Sequence, residues 1–158
     1  MRKRIISGSQ RVAAPAHNGW IDLERQARVE LTSEDPGHPI EAALSPGGPD
    51  QGWRAAAPGK QTIRLVFDRP CALHRIVVEF REPDVARTQE FVLRWSADSG
   101  RTLHDIARQQ WNFSPQGATR ETEDYRVSLD AVTDLEITVI PDISGGDAVA
   151  TLARLRLA

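Results

Sequence analysis

With 158 residues the chain is long enough for one domain with one sizeable core, and 40% hydrophobic with 27% charged residues is ordinary for a globular protein. A formal net charge of −2 excludes a bulk electrostatic partner, because a domain that holds a nucleic-acid backbone or an anionic membrane carries a clear basic excess. The single cysteine, Cys71, excludes an internal disulfide and a thiolate metal cluster.

Met1 to Arg4 are mostly basic, but Ile5 and Ile6 run directly into Ser7, Gly8, Ser9 and Gln10. That leaves no apolar stretch for a signal peptide and nothing near the ~20 apolar residues of a membrane span, so a cytoplasmic protein is expected. Residues 1–19 read as an N-terminal arm, a route to homo-oligomers if it packs on a second copy. Residues 20–158 read as a single domain. Trp20 to Leu31 is a weak strand with a break near Glu24 to Gln26, and Ile21 to Leu31 is the one stretch that also fits a helical period.

Period-two alternation then recurs down the chain. Ile63, Leu65 and Phe67 share one face of the run from Gln61, and Ile76, Val78 and Phe80 share one face of the run from His74. Phe91, Leu93 and Trp95 follow, with a weaker run from His104 to Trp111. Tyr125, Val127 and Leu129 form the next face, then Leu135, Ile137 and Val139, and finally Ala153, Leu155 and Leu157. Proline and glycine sit between these runs, where turns belong. About eight short strands with little helix predict an all-β fold, an antiparallel β-sandwich or jelly roll. If successive strands run antiparallel, connections 68–73, 97–103 and 130–133 fall at one end of the sandwich. The longer connections 32–60, 81–89, 112–124 and 141–150 fall at the other, which is where a rigid scaffold presents a binding site.

Three patterns add to this reading. Pro39 to Leu44 precedes Gly52, Trp53, Arg54 and Ala55; Gln61 to Asp68 precedes Ala72 to Phe80; and Phe91 to Leu103 contains Ser96, Asp98 and Gly100 in a turn. In this order the chain resembles the discoidin-like (coagulation factor type C) domains of the galactose-binding-like superfamily, which includes bacterial carbohydrate-binding modules. The resemblance runs from about Ala27 to Ala158 and implies a jelly-roll sandwich in which Trp53 closes the base of the barrel. Many such domains bind calcium in a loop of acidic residues before that tryptophan. Here Asp50 is the sole carboxylate between Ser45 and Gly52, against the roughly six to eight oxygen ligands calcium takes, so the expectation is no cofactor, with calcium on Asp50 and backbone carbonyls the alternative.

No phosphate loop, nucleophile elbow or paired-histidine metal motif is present. His17, His38, His74 and His104 are scattered, and Cys71 beside Pro70 reads as a small buried apolar residue. Glu121, Glu123 and Asp124, flanked by Arg120 and Arg126, read as a solvated charge cluster, and the segment from Asp142 to Asp147 as a glycine-rich hairpin loop. The chain is therefore expected to bind rather than catalyse.

A sugar site needs an aromatic face and planar polar side chains around it. Trp111 and Phe113, flanking Asn112 where a strand enters a long loop, supply candidates for the first. Arg120, Arg81, Arg87 and His38 supply candidates for the second. Carbohydrate is the expected partner; a protein partner, docking on the same fold inside the cell, is the alternative.

Overall fold

The computed structural model describes residues 19–48 and 51–158. The proposed arm through residue 18, with His17, and residues 49–50, with Asp50, lie outside the described residues. The described chain forms α1 (Leu23–Gln26), β1 (Ala27–Leu31), α2 (Glu41–Leu44), β2 (Trp53–Pro58), β3 (Gln61–Arg81), β4 (Arg87–Ser96), β5 (His104–Phe113), β6 (Arg120–Ile140), β7 (Val149–Leu152) and β8 (Arg154–Leu157). Every strand pairing is antiparallel. The main sheet runs β1-β3-β6-β4-β5, with β8 on the far half of β3, and β2 and β7 form a separate ribbon.

The architecture turns on β3 and β6, which pair from Gln61↔Val139 to Arg81↔Arg120. Their register slips between Val66 and Arg75, next to Pro70, which cannot donate a ladder hydrogen bond. Across the slip the inward positions change parity, from Ile63, Leu65 and Phe67 to Ile76, Val78 and Phe80, yet both sets belong to one core. The two strands therefore fold over together and carry the sheet around that core. Segments 68–73 and 130–133, expected as turns, are the extended corners of these long strands. Folding over reverses the chain direction as a turn would, so the assignment of connections to two ends holds.

At one end the backbone N–H of Ser99 donates to Thr133 Oγ1 (2.9 Å). At the other, backbone hydrogen bonds tie the long connections to one another: Glu82 N–H to Thr119 O (2.8 Å), Ile143 N–H to Thr88 O (2.8 Å), Gly59 N–H to Ala148 O (3.1 Å) and Asp35 N–H to Arg54 O (2.9 Å).

Phe80 and Phe91, both fully buried, meet across the core with ring centroids 5.0 Å apart, one from each half of the folded sheet. Truncating either to alanine removes about 3–5 kcal/mol. Trp53 is also fully buried, and its Nε1–H donates to Ser33 O (3.2 Å). Gly52 before it has φ 61°, and a Cβ there would collide with the carbonyl oxygen of Leu152 on β7, so glycine alone lets the chain enter β2 this close to its partner.

The sequence carries no sign of β2, because Ala55, Ala56 and Ala57 have neither branched nor aromatic side chains; pairing with β7 makes it a strand. The expected break near Glu24 to Gln26 is the single turn α1. Trp20 lies under two guanidiniums, Arg75 at 5.0 Å and Arg156 at 5.9 Å from the ring centroid, which pins the entry of the described chain to the outer face of β3 and β8.

Candidate functional site: a polar cleft at the long-loop end

The cleft is built from the ends of rigid strands. Trp53 and Ala55 face the core, so alternation turns Arg54 outward; Phe80 is buried, so Arg81 faces out at the last residue of β3. Together with His38, Gln51, Glu82, Pro83, Asp84 and Thr151 they line a hollow of about 290 Å³. Arg54 and Thr151 are direct cross-strand neighbours in the β2–β7 ribbon. A second hollow of about 410 Å³ shares Arg54, Glu82 and Asp84 and continues past Val85 and Arg87 to Asp142 and the 145–149 loop.

One buried ion pair braces this end. Arg87 Nη1 lies 3.2 Å from Glu82 Oε1 and also donates to Val149 O (3.1 Å). The second oxygen of Glu82 accepts the backbone N–H groups of Asp84 (2.9 Å) and Val85 (3.1 Å), which fixes the turn between β3 and β4. Burial pulls the Arg87 pKa below its ordinary value, and the charge of Glu82 opposes that shift. Arg87 Nε and Nη2 are buried and have no partner among the described residues. The guanidiniums of Arg54 and Arg81 make no hydrogen bond or ion pair among the described residues. His38 Nδ1 is 3.3 Å from Asp35 Oδ2. The backbone N–H of Gly37, then the His38 ring, hold the Asp35 carboxyl below its ordinary pKa. Among the described residues, with Glu82 neutralised by Arg87, the cleft presents the guanidiniums of Arg81 and of Arg54, whose charge also acts on Asp35, a histidine and the exposed carboxylate of Asp84.

Of the residues singled out from sequence, His38, Arg81 and Arg87 come together here. Arg120 is close in sequence to the rim but pairs with Glu79 (2.8 Å) on the outer face of β3. Asn112 is exposed on β5, where its Oδ1 accepts from Thr88 Oγ1 (2.6 Å). Phe113 is a core residue, 2% exposed, and offers no face to a ligand: β5 continues through it, and strand alternation places it on the inward side with Trp111. Trp111 is half-buried against the core and lines neither hollow. The apolar surface that does reach the second hollow is Val85, 53% exposed. No group of three or more His, Cys, Asp or Glu that could hold a metal occurs among the described residues.

Gln51, Arg54, Glu82, Asp84 and Thr151 were not anticipated. Arg54 was legible, since it adjoins a tryptophan read as structural and must face the opposite way once that segment is extended. Glu121, expected in a solvated cluster, is 1% exposed, because β6 begins at Arg120 and the alternation of Tyr125 and Val127 extends back to it.

No protein-family model matches the chain, and no curated protein matches it. Solved structures do. The family 32 carbohydrate-binding module of C. perfringens NanJ, in complex with galactose, is 16% identical with a TM-score of 0.61, covering 87% of this chain and 96% of that one. The family 32 module of AlyQ, in complex with 4,5-unsaturated mannuronic acid, is 16% identical with a TM-score of 0.61, covering 84% and 95%. A pectin-binding carbohydrate-binding module is 15% identical with a TM-score of 0.60, covering 84% and 90%. At these identities the likeness shows the fold alone: the β-sandwich of these modules, matched over nearly their whole length.

Proposed function

We propose that the chain is a non-catalytic carbohydrate-binding module whose ligand lies in the cleft between His38, Arg54, Arg81 and the turn at residues 82–84. The observation that carries this reading is the pair of guanidiniums, with no hydrogen bond or ion pair among the described residues, on the wall of a hollow of about 290 Å³ built from strand ends. A guanidinium is a planar fork of donors that matches vicinal hydroxyls or a carboxylate, and rigid strands hold such forks in place. Asp84 adds an acceptor for sugar hydroxyls. The complexes of similar modules with galactose and with an unsaturated uronic acid support the ligand class.

The docking alternative needs a broad apolar patch. Among the described residues the exposed large apolar side chains are Val85 and Ile143, both on loops of the cleft end, which suits a small polar ligand better than a protein face.

The test is a glycan array with neutral and uronic-acid glycans, read for the parent chain and for Arg54→Ala, Arg81→Ala and Trp111→Ala. Selective binding lost in both arginine variants and kept in Trp111→Ala is expected. Binding that survives both arginine substitutions would place the ligand elsewhere, and silence across the array would remove the sugar reading.

A further inference from the structure

A second group of polar residues lies where Gln89, paired across β4 and β5 with Trp111, reaches Glu121 at the start of β6. Gln89 and Trp111 are cross-strand neighbours on β4 and β5. Gln89 is fully buried, and its Nε2 lies 3.4 Å from Glu121 Oε1, so the amide reaches the carboxyl of β6. Glu123 and Tyr125 follow Glu121 on the same face of β6 by alternation, and both are half-buried. Four atoms here have no hydrogen-bond partner among the described residues: Gln89 Oε1, Glu121 Oε2, Trp111 Nε1 and Tyr125 OH. Two of them accept, Trp111 Nε1 only donates, and the tyrosine hydroxyl does either.

The carboxyls are as unusual as the orphan atoms. Four other acids that leave the surface meet a cation: Glu82 has Arg87, Glu136 has Arg64 at 2.6 Å, Glu79 has Arg120, and Glu90 has Arg108 at 3.2 Å, while buried Asp134 accepts from the Thr133 hydroxyl (2.7 Å). Glu121 meets only another acid and an amide. Burial, then the hydrogen bond and charge of Glu123, push its pKa up to about 8, with Gln89 opposing. Burial and the same two carboxyls raise the Tyr125 pKa as well. What the group lacks is a positive charge beside two aromatic rings, together with an acceptor for the indole N–H.

We infer that the seam between β5 and β6 is a second binding site, for a protonated primary amine that also carries hydroxyl groups, as an amino sugar does. The ammonium donates to Glu121 and Glu123 and to the Gln89 carbonyl, against the faces of Trp111 and Tyr125. A ligand hydroxyl accepts from Trp111 Nε1–H. Half-buried Glu123, Tyr125 and Trp111 form the entrance, and Glu121 and Gln89 the floor. The site is separate from the loop-end cleft and does not depend on it.

The test uses isothermal titration of the full chain at about pH 6.5 with glucosamine, N-acetylglucosamine and glucose. Glucosamine is expected to bind at least about tenfold more tightly than either neutral sugar. Because burial and Glu123 favour the protonated Glu121 carboxyl in the free protein and an ammonium favours its ionised form, binding is expected to release a proton, read from the heats in buffers of different ionisation enthalpy. Glu121→Gln and Glu123→Gln, the first of which mimics the protonated carboxyl and keeps the fold, each lose about tenfold in affinity, and Glu121→Gln also loses the proton release. Asp130→Asn, at an exposed acid outside the seam, leaves binding unchanged. Equal affinity for glucosamine and glucose, no binding of glucosamine, or unchanged affinity in both glutamate variants would each overturn the site and leave buried water as the partner of the orphan atoms.

Discussion

The two ends of the sandwich are built from the same kinds of residue to opposite effect. At the short-turn end polar groups close on one another. Ser96 Oγ donates to Asp98 Oδ1 (2.6 Å) and accepts the N–H groups of Asp98 (3.1 Å) and Gly100 (2.9 Å). Asp98 also accepts the N–H of Thr102 (2.8 Å), and together the Ser96 and Thr102 contacts bring its pKa down to about 2. Thr133 ties the turn to the corner of β6. At the long-loop end one ion pair shapes the backbone, and among the described residues three guanidiniums, of Arg54, Arg81 and Arg87, have donors to spare. A polar network that satisfies itself specifies a fold; one that stops short is completed from outside.

The comparison is broken most severely by removing the brace of the open end. Arg87→Ala leaves the buried Glu82 carboxylate without its cation, and breaking such a pair costs about 3–5 kcal/mol. Urea unfolding of the variant is expected to show that loss, largely recovered in the double variant Arg87→Met with Glu82→Gln. A cost under about 1 kcal/mol would mean that the turn between β3 and β4 holds without the pair.

The seam supplies the next largest effect, and its sign follows from linkage. Burial and the neighbouring Glu123 push the Glu121 carboxyl well above its ordinary 4.5, so the folded state keeps a proton at pH values where the unfolded chain has released it. Stability is therefore complete below the unfolded pKa and falls as pH rises toward the folded one, by at most about 1.4 kcal/mol per pH unit. Thermal melts of the parent between about pH 5 and 8 are expected to drift downward, whereas Glu121→Gln melts at nearly one temperature throughout. Asp98 has the opposite sign: its contribution is present above the unfolded pKa and is lost only as pH falls toward about 2.

A finer separation comes from Arg81→Ala. This guanidinium has no partner among the described residues, so its removal changes stability by no more than about 0.5 kcal/mol. Affinity for the cleft ligand is expected to fall by about tenfold or more, the loss of one charge-assisted contact. A variant that loses stability and affinity together would show that Arg81 supports the fold as well as the ligand.

Alternation made the sheet faces legible, because a half-buried strand must repeat every second residue, and Ile63 to Phe67 and Leu135 to Val139 do so. The loop ends were legible through parity alone, even where the turns proved to be strand corners. The pairing of β2 with β7 was hidden, since a run of alanines takes strand form only when a partner is supplied. Aromatic residues were the least readable part of the site. Trp111 and Phe113 had the composition of a sugar platform, but whether a strand ends before or after Phe113 decides which way both rings face, and strand ends are set by tertiary pairing. Arg81 was more legible, because the last residue of β3 turns outward once Phe80 is buried, whereas Arg87 at the start of β4 is buried against Glu82.

The smallest expected change tests whether the closed end is as relaxed as its hydrogen bonding suggests. Ser99 holds φ 62° ahead of Gly100 at φ 85°, two successive left-handed residues, and it alone among the described residues other than glycine has positive φ. An L side chain there costs about 1–2 kcal/mol, whereas glycine takes the conformation freely but loses about 0.5–1 kcal/mol more backbone entropy on folding. The turn's bond from Ser99 to Thr133 is made by the backbone N–H, so substitution leaves it intact. Ser99→Gly is therefore expected to raise stability by about 0.5–1 kcal/mol and to leave ligand affinity untouched. A loss of stability would mean that the side chain of Ser99 stiffens the turn, and that this end holds its shape by local rigidity as much as by the hydrogen bonds around Ser96.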